Sequence, residues 1–291
     1  RKWDAVMPEL PEVETIRRTL EPLLTGKRIQ SFELLWARTL AFPALTDARH
    51  SMIGTTIAGV RRRGKLVVLE LDSGDLITIH LRMTGELLYR DAGILPRSTE
   101  REPYLRAIFG LSPCAELLFY DTRKFGRISL YTRETSASLD TTRGIEPLDA
   151  GFTTAALAII LRRERRLKSL LLDQHLIAGL GNIYVDEALF AARLHPLRPA
   201  NTLGESEVAE LRTAIVDVLS TAIAGHGTTL RDYRSGLGEP GTNQHRLHVY
   251  GKPAGSPCSR CGAPLARISV DQRSTTFCPE CQPTVAHMLN R

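Results

Sequence analysis

A chain of 291 residues, 43% of them hydrophobic, can bury sizeable cores and is read as two domains, which excludes a disulfide-stapled miniprotein and a disordered tail. No segment approaches the roughly 20 apolar residues of a membrane-crossing helix. The N-terminus holds no apolar signal-peptide core, so the expectation is a cytoplasmic protein without a membrane partner. A net charge of +6 argues for an anionic partner only weakly by itself.

The first element expected is a helix over residues 12–24, where Val13, Ile16, Leu20 and Leu23/Leu24 recur at helical spacing and Gly26 ends the pattern. Short strand-like runs follow at 29–35, 56–61, 66–71, 75–81, 87–90, 105–111, 116–121 and 127–131. Turn chemistry at Ser73-Gly74-Asp75, Gly93 and Ser112-Pro113 separates them. So many short strands behind one helix predict a two-sheet β-sandwich or flattened barrel. Residues 132–153 are polar and punctuated by Gly and Pro, which marks a boundary. Beyond it the pattern turns helical over 154–165, 167–173, 182–191 and 205–224, and a glycine-rich basic loop at 225–255 leads to the C-terminal segment. The class expected is α+β, with an N-terminal extension at 1–7, a β-sandwich domain at 8–135, a linker at 136–152 and a helical domain at 153–291.

That last segment carries Cys258-x2-Cys261 and Cys278-x2-Cys281. Each pair offers two thiolates from a tight turn, and the 16 residues between the pairs suit a short β-hairpin. Four soft sulfur ligands at this spacing close a tetrahedral site, so one structural Zn2+ is expected within 250–285, with no open position for catalysis. Two disulfides are the alternative, but a single further cysteine, Cys114, in so long a chain does not make a disulfide scaffold. Between the pairs, Arg267, Gln272, Arg273, Ser274, Thr275 and Thr276 offer donors suited to phosphate. Positive charge also clusters at Arg61-Arg62-Arg63-Gly64-Lys65, at Arg123-Lys124 and along Arg162-Arg163-Glu164-Arg165-Arg166-x-Lys168. In Gly179-Leu180-Gly181-Asn182-Ile183-Tyr184 one helix ends and another starts with Asn182 as the expected N-cap, presenting N–H groups to a phosphate. A plain structural turn is the alternative there; Lys168 before the motif and Arg193 and His195 after it favour a nucleic-acid backbone.

Taken in order, the chain resembles bacterial formamidopyrimidine-DNA glycosylase over essentially its whole length from Met7. The resemblance is carried by Pro8-Glu9-Leu10-Pro11-Glu12-Val13-Glu14-Thr15, Arg62-Arg63-Gly64-Lys65, His80-Leu81-Arg82-Met83-Thr84-Gly85 and Asp121-x-Arg123-Lys124-Phe125-Gly126. It continues through Leu171-Leu172-Asp173-Gln174, Gly181-Asn182-Ile183-Tyr184, Val249-Tyr250-Gly251 and Gln272-Arg273-x4-Cys278. The family implies base-excision repair: removal of oxidised purines, chiefly 8-oxoguanine and formamidopyrimidines, and nicking of the abasic site left behind. It also implies a helical domain with a helix-two-turn-helix motif and a C-terminal zinc-finger hairpin, a duplex DNA partner bound between the two domains, and a monomer.

The resemblance places the nucleophile at Pro8, whose nitrogen is a secondary amine once Met7 is removed. It gives Glu9 general acid/base work on the ribose ring oxygen and makes Glu12 the holder of the active-site network. Lys65 contacts phosphate near the lesion, and Arg273 at the hairpin tip clamps phosphates and assists δ-elimination. Met83, Arg123 and Phe125 match the set that enters the duplex when the base is flipped: Phe125 as wedge, Met83 as filler and Arg123 on the widowed cytosine. Arg106, Lys168 and Asn182 are expected at the DNA backbone, and the loop around Gly238-Glu239-Pro240-Gly241-Thr242-Asn243-Gln244 over the extruded purine.

Three departures stand out. Residues 1–6 and Met7 would hold the Pro8 nitrogen in an amide, so the working chain is expected to start at Met7 and lose it. Arg106 stands where the family has histidine, and Glu164 where it has a lysine. Two rivals remain: an endonuclease VIII-type enzyme for oxidised pyrimidines, and a lesion-binding protein without catalysis if the extension is retained. A zinc transcription factor is disfavoured, because no recognition helix rich in base-reading side chains is evident.

Overall fold

The computed structural model describes residues 7–91, 100–231 and 233–284; the expectations on residues 1–6 and on the turn at Gly93 lie outside them. The chain forms two compact units, one of residues 1–142 with Ile223–Gln244, the other of Arg143–Ala222 with residues 245–291. The first unit thus takes in a segment from late in the sequence.

In the first unit, helix α1 (Leu10–Leu24) buries Leu10, Val13, Ile16, Leu20 and Leu24 along one face. Strands β1 (Ile29–Leu34) and β2 (Leu40–Phe42), helix α2 (Leu45–Met52), and strands β3 (Ile57–Arg63), β4 (Leu66–Leu71), β5 (Leu76–His80) and β6 (Gly85–Asp91) follow. Then come β7 (Leu105–Leu111), β8 (Ala115–Asp121), β9 (Arg127–Tyr131) and the short helix α3 (Ala137–Thr141). Two sheets result, one ordered β1-β7-β8-β6 and the other β2-β9-β5-β4-β3. All pairings are antiparallel except β2 with β9. Phe32, Phe109, Leu117 and Phe119 from the first sheet share one core with Val67, Leu69, Ile77, Ile79 and Ile128 from the second, and α1 packs into the same core. This is the sandwich expected.

The second unit holds α4 (Thr154–Leu161), α5 (Leu167–Leu171), α6 (Asn182–Ala191), most of α7 (Glu205–Ala224), and a hairpin of β10 (Ala266–Val270) and β11 (Arg273–Phe277). The bounds expected for α6 and α7 hold. Helix α4 stops at Leu161, before its basic run, and α5 at Leu171. Gln174 braces the turn between α5 and α6: its Nε2 donates to the carbonyls of Leu172 (3.0 Å) and Leu180 (2.7 Å), and its Oε1 accepts the Gly179 N–H (3.0 Å).

One sequence argument needs correction. The run Arg61-Arg62-Arg63 is not an open cationic surface, because each guanidinium meets a carboxylate: Arg61 with Glu70 at 2.9 Å, Arg62 with Glu14 at 3.3 Å and Arg63 with Asp140 at 3.1 Å. These pairs tie β3 to β4, α1 and α3.

Candidate functional site

The entrance to α1 gathers the first group of expected residues. Pro8 and Glu9 are buried, and the Glu9 N–H donates to Glu12 Oε2 at 2.9 Å, the return half of a capping box. Glu12, 1% exposed, accepts the Thr228 N–H on its other oxygen at 2.7 Å. The Tyr233 hydroxyl donates within reach of the carbonyls of Glu12 (3.3 Å) and His226 (3.2 Å). Burial, and then the Glu12 charge, hold this phenol well above its ordinary range, so it remains a donor. Met7, Pro8, Glu12, Thr228, Leu230, Arg231 and Tyr233 line a small opening. Gly227 lets the chain pass here: its φ is +80°, and a Cβ would stand 3.0 Å from the Tyr233 ring and 3.1 Å from Glu12 Oε1. The Glu12 carboxylate is therefore a fixed strut between the α1 entrance and the late segment.

Lys65 is buried in the two-residue turn Gly64-Lys65 that joins β3 to β4. Met83 lies half-buried in the turn between β5 and β6. Arg123 and Phe125 project from the loop between β8 and β9; Phe125 is 47% exposed, and the Arg123 guanidinium lies 5.2 Å from its ring centre. So exposed an aromatic is a surface residue rather than core. Arg106 differs from expectation. It is 7% exposed, with Nε donating to the Asp121 carbonyl (2.8 Å) and Nη1 to those of Pro103 (2.9 Å) and Leu105 (3.1 Å). These bonds make Arg106 a brace beneath the Arg123 loop through Nε and Nη1.

In the second unit the four cysteine sulfurs lie within 4.8 Å of one another, with Cys258–Cys281 at 3.9 Å and Cys261–Cys278 at 3.5 Å. A tetrahedron with Zn–S of about 2.3 Å has S···S edges of roughly 3.8 Å, so the set fits Zn2+. Backbone N–H groups of Arg260 and Cys281 point at Cys258 and Cys278 sulfurs, both at 3.4 Å. Burial and then the neighbouring thiols push the Cys281 thiol up to about 12, the mutual repulsion a bound dication removes. Cys258 and Cys278 pack with Phe190, Val249 and Leu265, and Gln282 ties Cys278 N–H (3.0 Å) to the Leu194 carbonyl (2.9 Å). The site holds one structural zinc. From it rises the β10–β11 hairpin, with Asp271 and Gln272 at positive φ in its two-residue turn and Arg273 exposed beside them.

Lys168 and Asn182 serve this hairpin from below. Lys168 is fully buried, and its Nζ donates to Asp186 Oδ1 (2.6 Å) and Thr275 Oγ1 (2.7 Å). The expectation of a DNA-backbone contact is therefore corrected: this ammonium has no exposed surface and anchors the hairpin. Asn182 is the first residue of α6 rather than its cap, which is Gly181, and its Nδ2 donates to the Ser274 carbonyl at 3.1 Å. Burial, only partly offset by Lys168, pushes the Asp186 carboxyl up to about 7. Lys168→Met leaves that carboxyl buried without its partner and should cost about 3–5 kcal/mol of stability. The sign with pH follows: a folded pKa above the unfolded value of about 3.9 means that folding takes up a proton. The stability of the variant is then fullest below the unfolded pKa and lost as pH rises, so its deficit in denaturant titrations should be larger at pH 8 than at pH 5. Equal deficits would show that Asp186 is not the group left uncompensated.

Two further carboxylates have roles that the sequence does not display. Glu187, 4% exposed, accepts the successive N–H groups of His248 (2.9 Å), Val249 (2.9 Å) and Tyr250 (2.8 Å), which explains the Val249-Tyr250-Gly251 motif as a chain held to α6. Asp121, 1% exposed, collects donors from two turns of the first unit. An acidic residue five places before a glycine or inside an apolar helix gives no sequence signal for such a role.

Comparison with known proteins agrees with this geometry. Residues 7–128 match the formamidopyrimidine-DNA glycosylase N-terminal domain, 143–234 the formamidopyrimidine-DNA glycosylase H2TH domain, and 255–284 the zinc finger found in FPG and IleRS. A formamidopyrimidine-DNA glycosylase of Chloroflexus aurantiacus is 45% identical over 281 residues, covering 96% of this chain and 99% of the relative. A Lactococcus lactis FPG variant solved with a Fapy-dG containing DNA superposes with a TM-score of 0.86 at 36% identity, over 95% of this chain and 100% of that one. MutM in complex with carbocyclic 8-oxo-G containing DNA gives 0.85 at 37%, with the same coverage. Matches to three domains and 45% identity over 96% of the chain show that the chain belongs to the formamidopyrimidine-DNA glycosylase family.

Proposed function

We propose that the protein is a DNA glycosylase with associated AP lyase activity that removes oxidised purines, 8-oxoguanine and formamidopyrimidines, from duplex DNA. The observation that carries this reading is the α1 entrance, where Pro8 lines an opening and the Glu12 carboxylate holds the N–H groups of Glu9 and Thr228. Relatives solved with Fapy-dG and 8-oxo-G containing DNA support the substrate class.

The Pro8 nitrogen, freed as a chain terminus by removal of Met7, attacks C1′ of the flipped nucleotide and displaces the damaged base. Glu9 delivers a proton to the ribose ring oxygen, the ring opens, and an iminium ion forms between Pro8 and C1′. Its positive charge acidifies C2′; loss of that proton expels the 3′ phosphate, and a second elimination expels the 5′ phosphate. Lys65 and Arg273 neutralise the two phosphates as charge develops. Met83, Arg123 and Phe125 fill the space the base leaves. The zinc supplies no chemistry in this scheme and fixes the hairpin that carries Arg273.

The test is excision by the chain expressed from Met7 on matched duplexes. Release from 8-oxoguanine:cytosine should exceed release from a thymine glycol duplex by about tenfold or more, the scale of one well-placed specificity contact. The reverse order would replace the purine reading with a pyrimidine one. Tight lesion binding without nicking would leave a damage-binding protein.

A further inference from the structure

Asp121 ends β8, directly across from Gly85 at the start of β6. Its Oδ1 accepts the Thr84 hydroxyl at 2.5 Å and the Arg123 N–H at 3.1 Å, and its Oδ2 accepts the Gly126 N–H at 2.7 Å. The Thr84 hydroxyl, its proton committed to the carboxylate, also accepts from the Arg123 N–H at 3.1 Å. One buried carboxylate thus joins the turn that carries Met83 to the loop that carries Arg123 and Phe125.

Both turns need holding. Arg82 (φ 56°) and Lys124 (φ 62°) adopt left-handed backbone immediately before Met83 and Phe125. Side-chain-bearing residues keep that conformation only where their surroundings over-determine it. The fit is close at the far end: a Cβ on Gly126 would lie 2.4 Å from the Phe119 ring and 3.2 Å from Asp121 Oδ2. Met83 directly precedes Thr84 and Phe125 directly precedes Gly126, so each apolar residue adjoins a group hydrogen-bonded in this network.

We propose that Asp121 is a positioning residue that presets the Met83 turn and the Arg123–Phe125 loop as one unit, so that the three side chains enter the duplex together. This rests on reading those side chains as the inserting set. The ordering of both turns is completed on folding and is not repeated at each base-flipping event, which lowers the barrier to insertion.

The experiment is single-turnover excision of 8-oxoguanine from duplex DNA by the full chain started at Met7. Asp121→Asn keeps the shape but sets an NH2 against one of the N–H donors. It should slow excision about ten- to a hundredfold, the usual scale for an unmatched buried partner of a charged group. Thr84→Val, which removes only the bridging hydroxyl, should act in the same direction and less. The same two changes are then placed in a Met83→Ala/Arg123→Ala/Phe125→Ala background. If Asp121 works through those side chains, the substitutions there should change the rate by no more than about twofold.

An equal loss in both backgrounds would overturn the proposal and leave Asp121 as a fold-stabilising residue only. So would wild-type rates for both Asp121→Asn and Thr84→Val. Should Asp121→Asn fail to fold by circular dichroism, the Thr84→Val comparison decides alone. A Met83→Ala/Arg123→Ala/Phe125→Ala protein that excises at the wild-type rate would bring down the insertion reading itself, and the proposal with it.

Discussion

Borohydride should trap the chain that begins at Pro8 on an 8-oxoguanine:cytosine duplex, and should not trap the same chain with residues 1–7 retained. A mid-chain proline nitrogen is an amide without an available lone pair, whereas a terminal amine has a pKa of about 7.7–8.0, which leaves roughly one molecule in ten unprotonated at pH 7. Only that amine forms an iminium that borohydride reduces to a stable adduct. The expected difference in trapping and nicking is at least about a thousandfold, as befits removal of a nucleophile. Mass spectrometry should place the adduct on the Pro8 peptide. An adduct on a lysine of the extended chain would show that another amine does the work, and would remove Pro8 from the mechanism.

Loss of zinc has the second largest expected effect. An isolated two-stranded hairpin is marginal in water, and β10–β11 pairs over only five residues a side, from Ala266↔Phe277 to Val270↔Arg273. Metal contributions to small sites of this kind reach about 10–16 kcal/mol, far more than the packing of Cys258 and Cys278 on Phe190, Val249 and Leu265 supplies. Cys278→Ser, or exhaustive chelation, should therefore remove the metal measured by elemental analysis, melt the hairpin and reduce nicking by about a hundredfold or more. The first unit, with its own core of α1 and both sheets, should keep its unfolding transition. Full nicking by metal-free protein would mean that Arg273 does not depend on the sulfur cluster.

The parts of the fold legible in the sequence are those whose signal is local. Helices α6 and α7 are legible because apolar residues run through them, with Gly181 before the first and Gly204 and Gly225 on either side of the second, and the cysteine spacing names its own metal. Strand β2, three mostly exposed residues, and α2, which buries only Ala48 and Met52, give too little periodicity to register. Charged residues were misjudged for a different reason. Lys168 reads as surface until Asp186, 18 residues on, and Thr275, 107 residues on, come to meet it. Arg62 and Glu14 present the same difficulty across 48 residues. Motifs are visible in the sequence, but roles inside them are not: Asp121 belongs to the Asp121-x-Arg123-Lys124-Phe125-Gly126 motif, yet its carboxylate bridges two turns that are 39 residues apart at Thr84 and Arg123.

The return of Ile223–Gln244 to the first unit has a consequence for how the molecule is made. A ribosome releases the sandwich long before it releases Thr228 and Tyr233, so for a stretch of about eighty residues the buried carboxylate of Glu12 waits without its second donor. Domains emerging from synthesis ordinarily close in order; this one finishes only after most of its neighbour has been translated. The α1 entrance is therefore the last part of the first unit to be assembled, and a nascent or truncated chain ending near residue 142 carries Pro8, the proposed nucleophile, in an unfinished site. On the proposed mechanism, competence for chemistry on DNA is deferred until the segment around Thr228 exists.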